Sequence, residues 1–470
     1  MKTSLKEYFS GKSVSLLGAG ISNMPLAETL APWCERLTVR DKKSVADLGE
    51  NGQKLISLGA ELITGDDYLC GIDEDIVFRS PGIRPDIPEL EAARERGSSI
   101  TSEMEMFLAL HPCPTFAVTG SDGKSTTTTI TSKLLEPAGK TILGGNIGEP
   151  LLYRYHNIEE NDAVAVELSS FQLMTIDAPL DAAAITNITP NHLNWHTGMD
   201  EYIAAKRKIL DHADRAVLNY DNDVTLDIAK ELQKTATPVT FFSLEPIPDG
   251  LLRDIDSAVW LEDGVIYSLF PEDGKIEIMK RADIKLPGIH NVANYMTAIA
   301  LTHGHTSLER IREVARTFGG VEHRLEFVRV LDGVTYINGS IDSSPTRTAA
   351  ALSAIADRPV VLIAGGYDKH IPYEPLADAI FDSSVHTVVL TGATAEKIYA
   401  AITTHKDHEK HSDRLNIIRN ADFEGAVKDA RAAANAGDTV ILSPASASFD
   451  AFPNFEVRGR RFKDIVNNFD

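Results

Sequence analysis

At 470 residues, with 43% apolar and 24% charged side chains, the chain has the composition of a globular protein too long for a single hydrophobic core, so two or three domains are expected. No apolar run approaches the roughly 18 residues that a membrane span requires, and Met1-Lys2-Thr3-Ser4-Leu5-Lys6-Glu7-Tyr8 is charged where a secretory leader would be apolar. A formal net charge of -22 argues against a nucleic-acid binder, and three scattered cysteines, Cys34, Cys70 and Cys113, make neither a disulfide framework nor a zinc site, so reduced thiols in a cytoplasm are expected.

Along the chain, short apolar runs end in glycine-rich or polar turns and give way to helical patterns. Residues 14–17, 116–118, 163–166, 182–185, 360–364 and 439–442 read this way. Parallel strands covered on both faces have this pattern, and it predicts an α/β fold. The exception is 259–279, where Glu-Asp-Gly turns at Gly264 and Gly274 predict a small antiparallel insert. Strands followed by a glycine turn occur at Gly18-Ala19-Gly20, at Gly120-Ser121-Asp122-Gly123 and at Gly365-Gly366. They predict three domains: a Rossmann-like N-terminal domain (1–102), a central P-loop ATPase-type domain with a parallel sheet (103–320), and a Rossmann-like C-terminal domain (321–470).

The first turn departs from a dinucleotide fingerprint because Asn23 stands at the third glycine position, while Asp41 follows a second apolar run where a ribose-binding acid would lie. Dinucleotide binding and a merely tight βα turn both fit. Backbone N–H groups at such a turn suit any diphosphate, UDP as well as NAD.

The second turn is more specific. Gly120-Ser121-Asp122-Gly123-Lys124-Ser125-Thr126 lies between an apolar strand and a threonine-rich helix. Its glycines let the backbone wrap phosphates, Lys124 offers a charge to them, and the Ser125 hydroxyl suits magnesium. Val118 occupies the first-glycine position of the longer Walker form, leaving the short Gly-x-x-Gly-Lys-Ser version. Beyond it, Glu167 and His192 end successive apolar runs, where ligands of open α/β sheets collect. Lys206 falls on the apolar stripe 202, 205, 206, 209, 210 of a helical pattern. A snorkelling lysine and a functional lysine held in a cleft both explain that position.

The short P-loop resembles that of the Mur ligases and folylpolyglutamate synthetases, which bind ATP there, and the likeness extends over nearly the whole chain. It implies a magnesium site of Ser125, Glu167, His192 and Lys206, the lysine being carbamylated, and it makes Lys124, Glu167, His192, Lys206 and Arg324 the catalytic set. Carbamylation is chemically coherent, because burial and a nearby cation free a lysine amine to add carbon dioxide. ATP contacts are implied at 120–126, at Asn291 and Asn294 in His290-Asn291-Val292-Ala293-Asn294, and at the His323-Arg324 pair, with Arg324 reaching the phosphates as the third domain closes. A UDP-sugar acceptor is implied at Gly18, Asp41, Ser80, Gly82 and Asn146.

Towards the end, Ser443-Pro444-Ala445-Ser446-Ala447-Ser448-Phe449-Asp450 and Asn454-Phe455-Glu456 resemble the branch of the family that adds D-glutamate to UDP-N-acetylmuramoyl-L-alanine. Ser448 and Phe455 then hold the amino acid and Lys369 grips its side-chain carboxylate. Two departures stand out. Asp122 is acidic within the P-loop, and Gly339 and Ile341 replace the family's usual acid and lysine, with Asp342 and Arg347 nearby to compensate. The expected protein is a cytoplasmic monomer using ATP and Mg2+, with no nucleic-acid or membrane partner. The rivals are another amide ligase of the same superfamily, a P-loop NTPase switch that needs no amino acid, and a dehydrogenase resting on the first glycine turn alone.

Overall fold

A computed structural model describes residues 4–470 except 21, 193–194, 233, 235–236, 249–254, 256, 287, 356–357, 370 and 409–413. The chain divides into two compact units, Met1–Thr317 and Phe318–Asp470. Unit 1 holds two sheets. The first contains β1 (Ser13–Leu17), β2 (Arg36–Asp41), β3 (Glu61–Thr64), β4 (Ile76–Arg79) and β5 (Ser99–Thr101), all parallel, in the order β3-β2-β1-β4-β5.

The second sheet has nine strands: β6 (Thr115–Thr119), β7 (Thr141–Gly145), β8 (Ala163–Glu167), β9 (Ala182–Ile185), β10 (Ala216–Asn219), β11 (Val239–Ser243), β12 (Ser257–Glu262), β13 (Val265–Phe270) and β14 (Gly274–Lys280). Their order is β14-β13-β12-β11-β10-β9-β6-β8-β7. The side chains of β6, β8 and β9 are buried throughout. Helices Lys124–Leu134 and Ile289–Leu301 pack together on this sheet, and strands covered on both faces have no polar alternation to show. The antiparallel stretch predicted around Gly264 and Gly274 is present, but it is continuous with the main sheet, since β12 runs parallel to β11 and β13 and β14 extend the edge.

Unit 2 carries β15 (Glu326–Leu331), β16 (Val334–Asn338), β17 (Val360–Gly365), β18 (Val385–Thr391), β19 (Asn416–Arg419) and β20 (Thr439–Leu442), in the order β15-β16-β20-β17-β18-β19. Among the described residues only the β15–β16 pair is antiparallel in it.

In each sheet the chain leaves one strand in both lateral directions. That strand is β1 between β2 and β4, β6 between β9 and β8, and β17 between β20 and β18. The three glycine turns sit at the carboxyl ends of these strands. Such switch points open a crevice beyond the sheet edge and are where open α/β sheets bind ligands. No helix among the described residues is long and apolar enough to cross a membrane.

Candidate active site

The loop after β6 is held open by its neighbours. At Gly120 φ is +148°, and a Cβ there would lie 1.9 Å from Thr186 Oγ1. No side chain is possible without displacing the end of β9. Thr186 Oγ1 donates to the Asp122 carbonyl at 2.6 Å, the Asp122 N–H donates to Asn187 Oδ1 at 3.0 Å, and the Ser121 N–H donates to the Asn187 carbonyl at 2.8 Å. Ser121 is buried and its hydroxyl bonds the Thr189 carbonyl and Tyr202, so this side chain serves the shape of the loop. Asp122 is exposed, and it joins that network through its backbone N–H and carbonyl. Thr126, half-buried, sits in the first turn of the helix that follows.

Two ammonium groups converge on this loop. Lys124 Nζ donates to the Gly120 and Ser121 carbonyls at 2.9 and 2.8 Å, and Lys206 Nζ donates to the same Gly120 carbonyl at 2.6 Å. Lys206 is only 2% exposed and lies against the Tyr202 ring, and all of the stripe 202, 205, 206, 209, 210 is buried as its spacing predicted. Loss of water, then the charge on Lys124, pushes the Lys206 amine down to about 7.

Ser125 Oγ donates to Glu167 Oε2 at 2.5 Å, and Asn146 Nδ2 donates to Glu167 Oε1 at 2.8 Å. A serine hydroxyl at the start of a helix and a buried carboxylate at a strand end are hard oxygen donors of the kind magnesium takes, so these residues fit the metal. Among the described residues no three His, Cys, Asp or Glu side chains stand close enough to hold an ion. His192 is exposed, with φ +55° and its ring edge-on to Phe171, and its basicity is lowered by lost hydration and by Lys124 and Lys206. Asn294 bridges back to the P-loop helix, accepting from Thr127 Oγ1 at 3.1 Å and donating to Asn291 Oδ1 at 3.0 Å.

In the first sheet, Asp41 Oδ2 accepts from the Ala19 N–H at 2.8 Å, so this acid is turned onto the glycine turn itself. The Asn23 amide donates to the Leu17 and Gly18 carbonyls and reaches Ser80 Oγ, which explains an asparagine at the third glycine position of the fingerprint. Ser80 Oγ in turn donates to the Leu17 carbonyl. Gly82 is exposed, and its carbonyl accepts from Trp195 Nε1 at 3.4 Å.

In unit 2, Lys369 is exposed and its Nζ donates to the Ser343 carbonyl at 3.0 Å and to Ser343 Oγ at 3.2 Å. Ser448 is buried after β20, and Phe455 opens the helix Phe455–Asn467, capped by Asn454. Arg458 binds the Ala447 and Ser446 carbonyls and both Ser340 oxygens, tying these segments together. His323 is buried beside Asn338 Nδ2 and Phe455, whereas Arg324 is exposed. The departure at Gly339 has a spatial counterpart, because a Cβ there would fall 2.5 Å from Asp342 Oδ2. The acid at 342 and the Leu442 carbonyl, 2.9 Å from that Cβ, together fill the space that a side chain at 339 would enter.

Sequence reasoning missed the framework. Thr186 and Asn187, which shape the P-loop, follow β9 with no motif to flag them. Also missed was the chain in which Arg84 binds Glu201, Glu201 binds His196, and His196 binds Ser170. An arginine, a glutamate and a histidine spread over 117 positions look like solvated surface until the fold joins them.

A Mur ligase middle-domain model matches residues 118–302, and a model described as Mur ligase, glutamate ligase domain, matches residues 323–446. The UDP-N-acetylmuramoylalanine--D-glutamate ligase of Clostridium novyi is 45% identical over 468 residues, covering 98% of each chain. The protein of the same name from Acetivibrio thermocellus is 43% identical over 478 residues, covering 100% of each. Among solved structures, the UDP-N-acetylmuramate-alanine ligase of Thermotoga maritima superposes with a TM-score of 0.51 at 18% identity, over 97% of this chain and 99% of that one. MurF of Acinetobacter baumannii does so with a TM-score of 0.52 at 16% identity, over 98% and 93%. At such identities the likeness speaks for the fold alone. The relatives of 43–45% identity run along essentially the whole chain, through the P-loop, the paired lysines and the turn after β20, and the chain belongs to the Mur ligase family.

Proposed function

We propose that the chain is an ATP-dependent ligase that joins D-glutamate to UDP-N-acetylmuramoyl-L-alanine in the synthesis of peptidoglycan precursors. The observation that carries this reading is the convergence of the Lys124 and Lys206 amines on the Gly120 carbonyl, beside the Ser125–Glu167 pair. It makes a cationic, oxygen-rich cluster at a strand end, suited to a transferring phosphoryl group. The full-length relatives named for this reaction support the choice of substrates.

In the mechanism, the alanyl carboxylate attacks the γ-phosphorus and the bond to the β-phosphate oxygen breaks, giving an acyl phosphate and ADP. The amine of D-glutamate then adds to the acyl carbon, loses a proton, and the tetrahedral intermediate expels inorganic phosphate. Lys124 and Arg324 stabilise charge on the phosphoryl oxygens, while 120–126, Asn291, Asn294 and His323 hold ATP. Ser125, Glu167, His192 and a carbamate on Lys206 would hold Mg2+, which supplies Lewis acidity toward phosphate oxygens when bound. A Lys206 amine pushed down to about 7 is partly neutral near neutral pH, the form that adds carbon dioxide. Gly18, Asp41, Ser80, Gly82 and Asn146 take the UDP-sugar, and Lys369, Ser448 and Phe455 the amino acid. The reading assigns these tasks to domains at 1–102, 103–320 and 321–470, in a monomer acting in the cytoplasm.

The test is phosphate release with UDP-N-acetylmuramoyl-L-alanine, comparing D-glutamate with L-glutamate, lysine and no amino acid. Release that needs D-glutamate is expected. Release that is indifferent to the amino acid would point to an NTPase switch instead.

A further inference from the structure

The loop after β4 is bolted to the segments that follow Glu167 and His192. The buried Arg79 donates to the Pro81 and Ile83 carbonyls within that loop, and its other nitrogen reaches the Phe171 carbonyl at 3.3 Å and Thr175 Oγ1 at 3.2 Å. Arg84 donates to Glu201 at 2.8 Å and to the Trp195 carbonyl at 3.0 Å, and its guanidinium lies 5.0 Å from the centre of the Trp195 ring. The indole N–H points to the Gly82 carbonyl.

Glu201 gathers the far side. Beside Arg84 its carboxyl is held down at about 2, so it only accepts hydrogen bonds. It receives Arg84, the Thr197 N–H and His196 Nδ1, each at 2.8 to 2.9 Å, while His196 Nε2 meets Ser170 Oγ at 2.9 Å. His192 sits in the left-handed backbone region at φ +55°, which costs energy for any residue with a Cβ and must be held from outside. The N–H groups that hold its carbonyl are those of Trp195 and His196, at 3.0 and 3.1 Å. Phe171 lies between them, 5.1 Å from His192 and 4.4 Å from Trp195 between ring centres.

We propose that Arg84, Trp195 and Glu201 are positioning residues that transmit occupancy of the Ser80–Gly82 loop to the backbone of His192, so that the UDP-sugar acceptor and the magnesium-nucleotide bind with positive coupling. The loop cannot shift without moving the Gly82 carbonyl and the Arg84 guanidinium. Both grip Trp195, whose backbone N–H holds the His192 carbonyl at 3.0 Å. The proposal rests on the ligase reading, which assigns the acceptor to Ser80 and Gly82.

The test uses the full chain labelled with 5-fluorotryptophan. The chain has three tryptophans, and the signals of Trp33 and Trp260 are assigned from Trp33→Phe and Trp260→Phe. UDP-N-acetylmuramoyl-L-alanine without nucleotide is expected to move the Trp195 fluorine signal. Acceptor affinity is then measured with and without magnesium and a non-hydrolysable ATP analogue. In the unsubstituted protein the nucleotide tightens acceptor binding by about fivefold or more, the lower end of typical couplings between linked sites. In Arg84→Ala and in the milder Glu201→Gln the ratio falls to about one. A brace that merely supports the fold lowers both affinities together and leaves the ratio intact. A silent Trp195 signal overturns the proposal, as does a ratio in Glu201→Gln like that of the unsubstituted protein. Ligation assayed on the same preparation separates the two claims: turnover with D-glutamate but no coupling removes this inference alone, and no turnover removes the ligase reading.

Discussion

Ser125 and Glu167 come from different elements, the first turn of the helix after β6 and the last residue of β8, yet their oxygens stand 2.5 Å apart. Parallel pairing makes this possible, because Val118 lies level with Glu167 and both chains end at the same sheet edge. Glu167→Gln preserves the shape and an acceptor for Ser125, but removes the charge and turns an amide N–H toward Asn146 or Ser125. Glu167 would act through the magnesium ion that offsets phosphoryl charge. Loss of a charged ligand there should cost about 2.7 kcal/mol or more, the scale of one lost transition-state contact, so turnover should fall at least about a hundred-fold. Thermal stability should be little changed. An active variant with an ordinary magnesium requirement would remove Glu167 from the site.

Lys206 makes a prediction whose sign follows from its depressed basicity. Between about 7 and its ordinary 10.5 the folded state binds fewer protons at this amine than the unfolded chain does. The cost of burying the ammonium is therefore full below pH 7 and fades as pH rises toward 10.5. In carbon-dioxide-free buffer without magnesium, Lys206→Met should melt higher than the parent at pH 6, and its advantage should shrink steadily above pH 7. Thermal melts across that range check this, and a pH-independent difference would contradict it. In the same variant series, Lys206→Ala should lose most ligase activity and recover part of it with acetate, which can enter the vacated space as a carboxylate.

Asp342 titrates in the opposite sense. Burial is the main cause that pushes its carboxyl up to about 6 from the usual 3.8, against the Ser443 hydrogen bond and the pull of Arg324, Arg347 and Arg458. The native state binds the extra proton between those values, so stability falls as pH rises from about 4 to 6 and the full penalty applies above that. Asp342→Asn should raise the melting temperature of the protein at pH 7, by the equivalent of roughly 3 kcal/mol at most, and lose that gain near pH 4. The companion Gly339→Asp should be destabilising, since its Cβ meets Asp342 Oδ2 at 2.5 Å and the Leu442 carbonyl at 2.9 Å, and Asp342→Ala should relieve the first of these contacts and so part of the cost. Additive effects of the two substitutions would refute the shared space.

The sheets were legible because their strands are apolar runs closed by glycine turns, and the P-loop because its chemistry is local in sequence. Lys206 was legible for the opposite reason, as a charge on an apolar stripe. The antiparallel edge was recognised from its Gly264 and Gly274 turns, but whether it stood apart or extended the sheet depended on β11–β12 pairing, which leaves no local mark. The supports of the site were illegible for the same reason. Thr186 shapes the P-loop only because β9 lies beside β6, and Arg84 finds Glu201 only because two sheets share one unit. Asp41 shows the limit of analogy: it stands where a ribose-binding acid would, yet its carboxylate binds the Ala19 N–H of its own turn.

Lys369 offers the sharpest test of amino-acid choice. Its amine rests on the neutral oxygens of Ser343, and its basicity is lowered by lost hydration and then by Arg347 and Arg458. A cation whose neighbours are other cations gains from an incoming carboxylate, and D-glutamate brings one on its side chain. A partly desolvated lysine–carboxylate contact is worth roughly 1.5–3 kcal/mol, so Lys369→Ala should raise the KM for D-glutamate about ten- to a hundred-fold. The KM for ATP should stay within about twofold, because the ligase reading gives Lys369 no part in holding ATP. Lysine as a substrate would meet like charge here, and the alanine variant should reject it less strongly than the parent does. The two constants are measured separately at saturating UDP-sugar. An unchanged D-glutamate constant, or a rise confined to ATP, would show that Lys369 is a solvated loop residue and that the side-chain carboxylate is held elsewhere.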